Sequence, residues 1–557
     1  MWRMILFLAA VSAFGTADDQ APGPMTGLAL LDGTVWTGNP ANPWAEAVLI
    51  RGERFFRTGS SAEIRKLVIR GTRVIHLRGA LVLPGFIDSH THFLNGGFVL
   101  GSVQLRRAGS RREFAALVKT KAGELGKDAW IINGDWDHEQ FETPELPRRE
   151  WIDEVTPRNP VFVNRLDGHM GLANSRALAI AGITRDTPAP PGGEIVKDPA
   201  TGEPTGILKD AAMELVFKHI PEPSFRERLA AAETALRHAA EHGVTSVHEM
   251  ADAASLEVYQ HLLREGKLTA RLSVYIPITE VDAVSRLRLK SPFGNDLLKL
   301  AGLKGFVDGS LGSSTAYFFE PYLDNPATSG LLHEQMLPEG IMEERLLKAD
   351  RAGLQVAVHA IGDRANSLIL GIFEKVIGQN GPRDRRWRIE HAQHIRPDDQ
   401  ARMGELGIIG SVQPYHMIDD GRWAEKKIGK ERCSITYPFR SLIDKGVRLA
   451  MGSDWTVAPL DPLAGIGAAV TRQTLDGKNP GGWFPEQRIA VEEAVRGYTQ
   501  NAAFAEFSEG LKGTIEAGKL ADCVVLDRNI FRIPREDIQD ARVRLTIFNG
   551  KIIHGEW

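Results

Sequence analysis

Two histidines one residue apart, His90 and His92, close the stretch LPGFIDSHTH that runs from Leu83 to His92. In an extended strand residues i and i+2 share a face, so the two imidazoles project into one space. Neutral imidazoles aimed at a common point are half of a metal site. Taken alone, the pair equally suits a polar strand end that meets water. Four more residues able to ligate a metal or move a proton sit in or at the end of other apolar runs: Lys304 in LKLAGLKGFVDGS, His359 in LQVAVHAIG, His391 in WRIEHAQ and Asp454 in VRLAMGSDW. A capping lysine, a core histidine or a loop aspartate explains each one singly. At the same end of successive strands, together, they describe two adjacent metal positions. Cysteine contributes little to such a site. With only Cys433 and Cys523 present, neither a disulfide framework nor a thiolate-rich zinc site is available, so a metal must be held by nitrogen and oxygen. The apolar DCVVL around Cys523 points to a buried, unreactive thiol.

These residues need elements that gather them. Apolar strands are expected at LVLPGFIDSHTH, GVTSVHEM, RLSVYIPI, LKLAGLKGFVDGS, LQVAVHAIG, WRIEHAQ, GIIGSVQPY and VRLAMGSDW, with helical segments between them. One such helix starts at a polar cap, Ser224, and stops at Gly243. Eight strand–helix units close into a (β/α)8 barrel, whose chemistry sits at the carboxyl ends of its strands. The segment between strands 1 and 2, about 94–242, is too long for a connection and is expected to be an insertion folded over the barrel mouth. From Gly27 onward, and again at the chain's end, short β-rich runs alternate with Gly, Asn and Pro turns, including a hairpin turn at Asn549-Gly550. Small antiparallel sheets from both ends therefore predict one β-sandwich. The expected division is 27–78 and 510–557 for the sandwich and 79–500 for the barrel.

The bulk composition agrees with a full core. The 557 residues are 43% hydrophobic and 25% charged, ordinary for a globular chain. A formal charge of −4 gives no basis for a nucleic-acid partner. The strongest basic cluster, Arg106, Arg107, Arg111 and Arg112, reads as a solvated helix face. At the N-terminus Arg3 precedes MILFLAAVSAF, too short to span a bilayer but long enough for a secretory signal, with small residues Gly15 and Ala17 near a cleavage point. Residues 1–17 are thus expected to direct export, to the periplasm or outside the cell, the alternative being an uncleaved membrane anchor. No later stretch reads as a membrane span, and oligomeric state has no sequence signal.

The motifs PGFIDSHTH, VHAIGDRA, IEHAQ and GSDW resemble those of the amidohydrolase superfamily of metal-dependent hydrolases. GDWDHEQF, DGHMGLANSRAL, PPGGEIVKDPATGEPTGIL and GFVDGSLGSSTA are similar to the amidohydrolase family 3 branch, which includes N-substituted formamide deformylase-like enzymes. The likeness covers nearly the whole chain from about residue 27.

That resemblance implies roles. His90 and His92 would hold a first metal, His359 and His391 a second, a carboxylated Lys304 would bridge the two, and Asp454 would bind the first metal and handle the proton. One or two divalent ions are implied, zinc foremost, though an N/O donor set also accepts manganese, iron or cobalt. The implied reaction is hydrolysis of a carbon–nitrogen bond outside the peptide backbone, in an N-substituted amide or formamide, by hydroxide formed at the metals with Asp454 as proton relay. An esterase, lactonase or deaminase on the same core, or an inactive binding protein, are the alternatives. His169, Trp136 and Asp137 in the insertion are expected at the small-molecule pocket, where they could touch substrate or an oxyanion, and His248 at the end of strand 2 is a further pocket candidate. Asp308 and Gly309 are read as a tight turn supporting the site. Glu390, next to His391, should face away from it by strand alternation.

Overall fold

A computed structural model describes residues 27–557; the export segment read at residues 1–17 lies outside the described residues. The eight expected strands all form, as β1 Phe86–Thr91, β2 Val244–Met250, β3 Arg271–Pro277, β4 Leu298–Phe306, β5 Val356–Ala360, β6 Arg388–His391, β7 Ile409–Val412 and β8 Leu449–Met451. They pair in parallel in chain order from β1 to β8. Their near-continuous burial explains the apolar sequences, because a parallel sheet covered by helices has no wet face. Just beyond β8, the Asp454 amide donates to His90 O and the His92 amide to Trp455 O, both at 2.8 Å, so β1 and β8 meet and the sheet becomes a (β/α)8 barrel.

Two further sheets come from the chain ends. Six strands, in the order Lys551–His554, Val543–Phe548, Cys523–Leu526, Leu81–Pro84, Thr34–Trp36 and Trp44–Ala45, join both termini in one sheet. A four-stranded sheet of Arg54–Gly59, Ala47–Arg51, Gly27–Leu31 and Arg73–His76 packs against it through Leu30, Ile50, Phe55, Val82, Val525 and Ile547. The hairpin at Asn549-Gly550 has positive φ at both residues, as its tight turn demands. These sheets are mixed and not purely antiparallel, since Gly27–Leu31 runs parallel to Arg73–His76 and Thr34–Trp36 parallel to Leu81–Pro84. Short turn signals mark where strands end. They do not say which strand becomes the neighbour.

The insertion is also shorter than its sequence suggests. The helix Phe225–Glu241, capped by Ser224 and Glu227, buries Ala231, Ala235 and Ala239 in the same core as Phe86 and Val247, so it belongs to the barrel's helical layer. What is truly added is a five-stranded sheet, in the order Gly193–Lys197, Pro204–Asp210, Met170–Ala173, Val161–Asn164 and Ile131–Ile132, with a core of its own. Among the described residues no helix is long and apolar enough to cross a membrane. Cys433 and Cys523 are free and buried, and burial pushes the Cys433 thiol up to about 12.

The barrel's interior is polar. Glu506 reaches in from the segment after the last barrel helices, with Lys512 Nζ 2.5 Å and Lys299 Nζ 3.3 Å from its carboxylate. Burial works against its charge, yet the two ammonium groups hold it well below the ordinary carboxylate range. Removing one partner from a buried ion cluster strands the others, so Glu506→Gln should lower unfolding stability by about 3 kcal/mol at neutral pH, read from urea denaturation. A depressed carboxylate stabilises above its unfolded pKa and loses that contribution as pH falls, so the gap between variant and wild type should narrow in acid.

Candidate metal centre

The seam that closes the barrel also carries the site. Asp88, in the fully buried β1, accepts from the amides of His90 at 3.1 Å and Ser453 at 3.0 Å, tying the two strand ends together. Burial pushes its carboxyl up to about 7. Gly452 is required at this crossing, because a Cβ there would lie 2.5 Å from Asp88 Oδ1 and 2.6 Å from the His90 nitrogen. His90, His92 and Asp454 are thereby placed on one side of the barrel mouth.

Their side chains converge. Asp454 Oδ1 lies 3.3 Å from His92 Nε2 and 3.6 Å from His90 Nε2, and Oδ2 lies 3.8 Å from His391 Nδ1. His391 and His359 stand with ring centroids 4.6 Å apart, and Lys304 Nζ is 3.5 Å from His90 Nε2. All six sequence-expected ligands line one cavity of about 200 Å³. The backbone helps to aim them: His391 has φ 72° and Asp454 φ 56°, conformations that turn each side chain out of the strand's alternation.

Alternation therefore misplaced Glu390. Arg388 and Glu390 share the inward face of β6 as i and i+2, and it is the left-handed His391 that breaks the pattern and joins them at the centre. Glu390 Oε2 sits 2.5 Å from His90 Nδ1, and Arg388 grips both of its oxygens, at 2.7 and 2.9 Å. Burial opposes that charge, but the Arg388 guanidinium holds Glu390 well below the ordinary range. A carboxylate can only accept, so Nδ1 of His90 carries the proton and Nε2 keeps its lone pair for the cavity. His391 has the same arrangement, its Nδ1 2.8 Å from Gln413 Oε1. Burial pulls His90 down to about 4 and His391 well below its usual value, leaving neutral imidazoles.

Other expectations divide. His169 lies in the cavity wall, its Nδ1 2.6 Å from Asp210 Oδ1 and its ring 5.3 Å from that of His359. Burial opposes protonation there, and Asp210 more than offsets it, raising the imidazole. Trp136 is not at the pocket. Its indole N–H donates to Val163 O at 2.8 Å and the ring is buried in the insertion's own core. Asp137 is likewise withdrawn, accepting from Arg165 at 3.1 Å and Arg422 at 3.2 Å, and reaches the cavity only through Arg165, which lines it. His248 lies inside the barrel. The strand β2 runs on to Met250, so His248 falls short of its end, accepting from Arg388 at 2.6 Å with Nε2 3.7 Å from Glu506. Asp308 accepts from the amides of Ile361 and Gly362 at 3.0 and 2.8 Å, bracing the turn beneath His359. Nor is the basic cluster wholly solvated: Arg106 clamps the loop after Asp454 through Thr456 O and Val457 O at 2.7 and 2.6 Å.

A divalent cation fits these residues. Asp454 Oδ1 is buried and makes no well-aligned hydrogen bond, with His92 Nε2 at 3.3 Å and His90 Nε2 at 3.6 Å beside it, an expensive state for a carboxylate unless a cation completes it. One ligand atom each from His90, His391 and Asp454 lies within 4.8 Å of the others.

A parallel eight-stranded barrel bearing histidines and an aspartate at its mouth defines a metal-dependent hydrolase. The profile of the amidohydrolase family matches residues 73–554, and the chain belongs to that family. It is 41% identical over 545 residues to Protein LONG AFTER FAR-RED 3 of Arabidopsis thaliana, covering 96% of this chain and 92% of that one. To the N-substituted formamide deformylase of Arthrobacter pascens it is 27% identical over 545 residues, covering 94% and 98%. A solved structure, an uncharacterized metal-dependent hydrolase from Pyrococcus horikoshii OT3, is similar with a TM-score of 0.74 and 29% identity over 92% of this chain and 99% of that chain.

Because Glu390 sets the protonation of His90 without facing the cavity, Glu390→Gln should weaken metal affinity by about 10- to 100-fold, measured by competition with a chromogenic chelator. Metal affinity equal to wild type would remove Glu390 from this role.

Proposed function

We propose that the protein hydrolyses an N-substituted amide or formamide, releasing a carboxylic acid and an amine, with a divalent metal, zinc foremost, at the barrel mouth. The observation that carries this reading is Asp454 Oδ1, buried without a well-aligned hydrogen bond among three imidazoles, in a cavity shared with Lys304, His359 and His169. A bound divalent cation supplies positive charge that polarises a carbonyl and acidifies water toward a pKa of about 7. The chain's own residues do the rest. His90 and His92, beside Asp454 Oδ1, would hold the cation with it, while His359 and His391 would supply a neighbouring pair of nitrogens. Asp454 takes the proton from the attacking water and passes it to the departing nitrogen as the carbon–nitrogen bond breaks. His169, which Asp210 shifts toward its protonated form, faces the cavity and is placed to donate toward the oxygen that gains negative charge.

Lys304 fits a bridging role once carboxylated. Burial pulls its ammonium down to about 8, which enlarges the share of neutral amine able to add carbon dioxide and lose a proton. An anionic carbamate there would offer oxygen donors in place of an ammonium that repels a cation.

The substituent's character is read from the space beside the centre. A second lobe of about 690 Å³ shares His92, Lys304 and Phe306 with the first and continues along a mainly apolar wall of Leu94, Phe98, Ile132, Met250 and Pro277, with Glu222, Glu227, Arg228, Glu249 and Asp252 also lining it. Such a lining suits a bulky apolar group on the amide.

Screening the metal-reconstituted protein against N-acyl and N-formyl amines, with product identification, tests the reading. Apolar arylalkyl or long alkyl substituents should turn over fastest; esters hydrolysed while every amide is inert would overturn it. Asp454→Asn should abolish turnover while some metal stays bound, and wild-type turnover in that variant would show the proton relay to be wrongly assigned. Lys304→Ala should lose bound metal and regain part of its activity with added short carboxylates; full metal content and rate without them would exclude the bridge.

A further inference from the structure

A second group of metal-type donors lies outside the cavity. His238, on the helix Phe225–Glu241, and His242, which ends it, are four residues apart and share a helix face, with ring centroids 4.4 Å apart. Glu241 Oε2 lies 3.8 Å from His238 Nδ1. One ligand atom from each of the three is within 4.8 Å of the others, and none of the three lines the hydrolytic cavity or its second lobe. The imidazoles are already oriented. His242 Nδ1 is 2.9 Å from the His238 carbonyl, which can only accept, so that nitrogen carries the proton and Nε2 keeps its lone pair. His238 is stacked on Trp455, 5.1 Å between centroids and 23° between planes, which restrains its ring. Partial burial, together with the neighbouring His242, pulls His238 down to about 4, so the form present at neutral pH is the neutral one.

We propose that His238, Glu241 and His242 form a second metal site, separate from the barrel centre, which takes one borderline divalent cation such as Zn2+, Ni2+ or Cu2+. Two imidazole nitrogens and one carboxylate oxygen bind it, and water completes the coordination. Magnesium and calcium, which demand mainly oxygen donors, are poor occupants.

The test uses the protein with its barrel centre already loaded, dialysed against Ni2+ and analysed for total metal. Wild type should take up one equivalent beyond the loaded centre, unaffected by excess Mg2+. The double variant His238→Ala/His242→Ala should lose that equivalent while keeping wild-type turnover, which also shows that it is folded. His242→Ala alone, at the helix end, should weaken the site by at least about tenfold, and Glu241→Gln should weaken it less. Titration with Cu2+ should quench tryptophan emission in wild type through the Trp455 stack and do so far less in the double variant. Equal Ni2+ uptake by wild type and both histidine variants would overturn the proposal, as would displacement of the extra Ni2+ by Mg2+.

Discussion

Closure of the barrel between β1 and β8 is the constraint on which the centre depends. Two main-chain hydrogen bonds, Asp454 to His90 and His92 to Trp455, make that closure, and three of those four residues are themselves donors of the site. Asp88 and Gly452 permit the approach, one by accepting amides from both strand ends and the other by having no side chain to obstruct them. Backbone pairing and metal geometry are thus one problem. A shift in the seam moves Asp454 relative to His90 and His92 by the same displacement.

Beneath the centre the barrel is filled with charge instead of the aliphatic layers usual in this architecture. His90 leads to Glu390, Glu390 to Arg388, Arg388 to His248, and His248 to Glu506 with its two lysines. Apart from partly buried Lys299, every ion in this column is buried, so each is tolerable only because the next one compensates it. The column joins the metal side of the barrel to Glu506 and Lys512, which lie near the end of the chain. It orients His90 through a stack of mutually dependent contacts, a stiffer support than any one hydrogen bond.

Much of the fold was legible because parallel strands buried on both faces must be apolar. All eight were found from runs such as LQVAVHAIG and VRLAMGSDW, and the six residues that line the cavity together stood out in or at the ends of those runs. Failures came where local rules were broken by tertiary contacts. Glu390 was turned outward by strict alternation, which the positive φ of His391 overrides. Trp136 and Asp137 were expected at the pocket because they lie in the insertion, yet the insertion has a core to fill and an arginine to hold. Asp88, Arg388 and Asp210 were not singled out. A charged residue inside an otherwise apolar strand was the available signal for the first two. For Asp210 there was none, because its partner His169 lies at the start of the neighbouring strand in a sheet whose order cannot be read from the chain.

The linear chain by itself determined the class of architecture, the donor types and the exclusion of thiolate ligands, since hydrophobic periodicity and residue chemistry are local properties. Tertiary structure alone decided the tautomer of His90, the inward turn of Glu390, the true extent of the insertion and the shape of the cavity at the candidate metal centre. Each of these rests on groups brought together from distant parts of the chain, and burial makes their mutual compensation obligatory only once the barrel has closed.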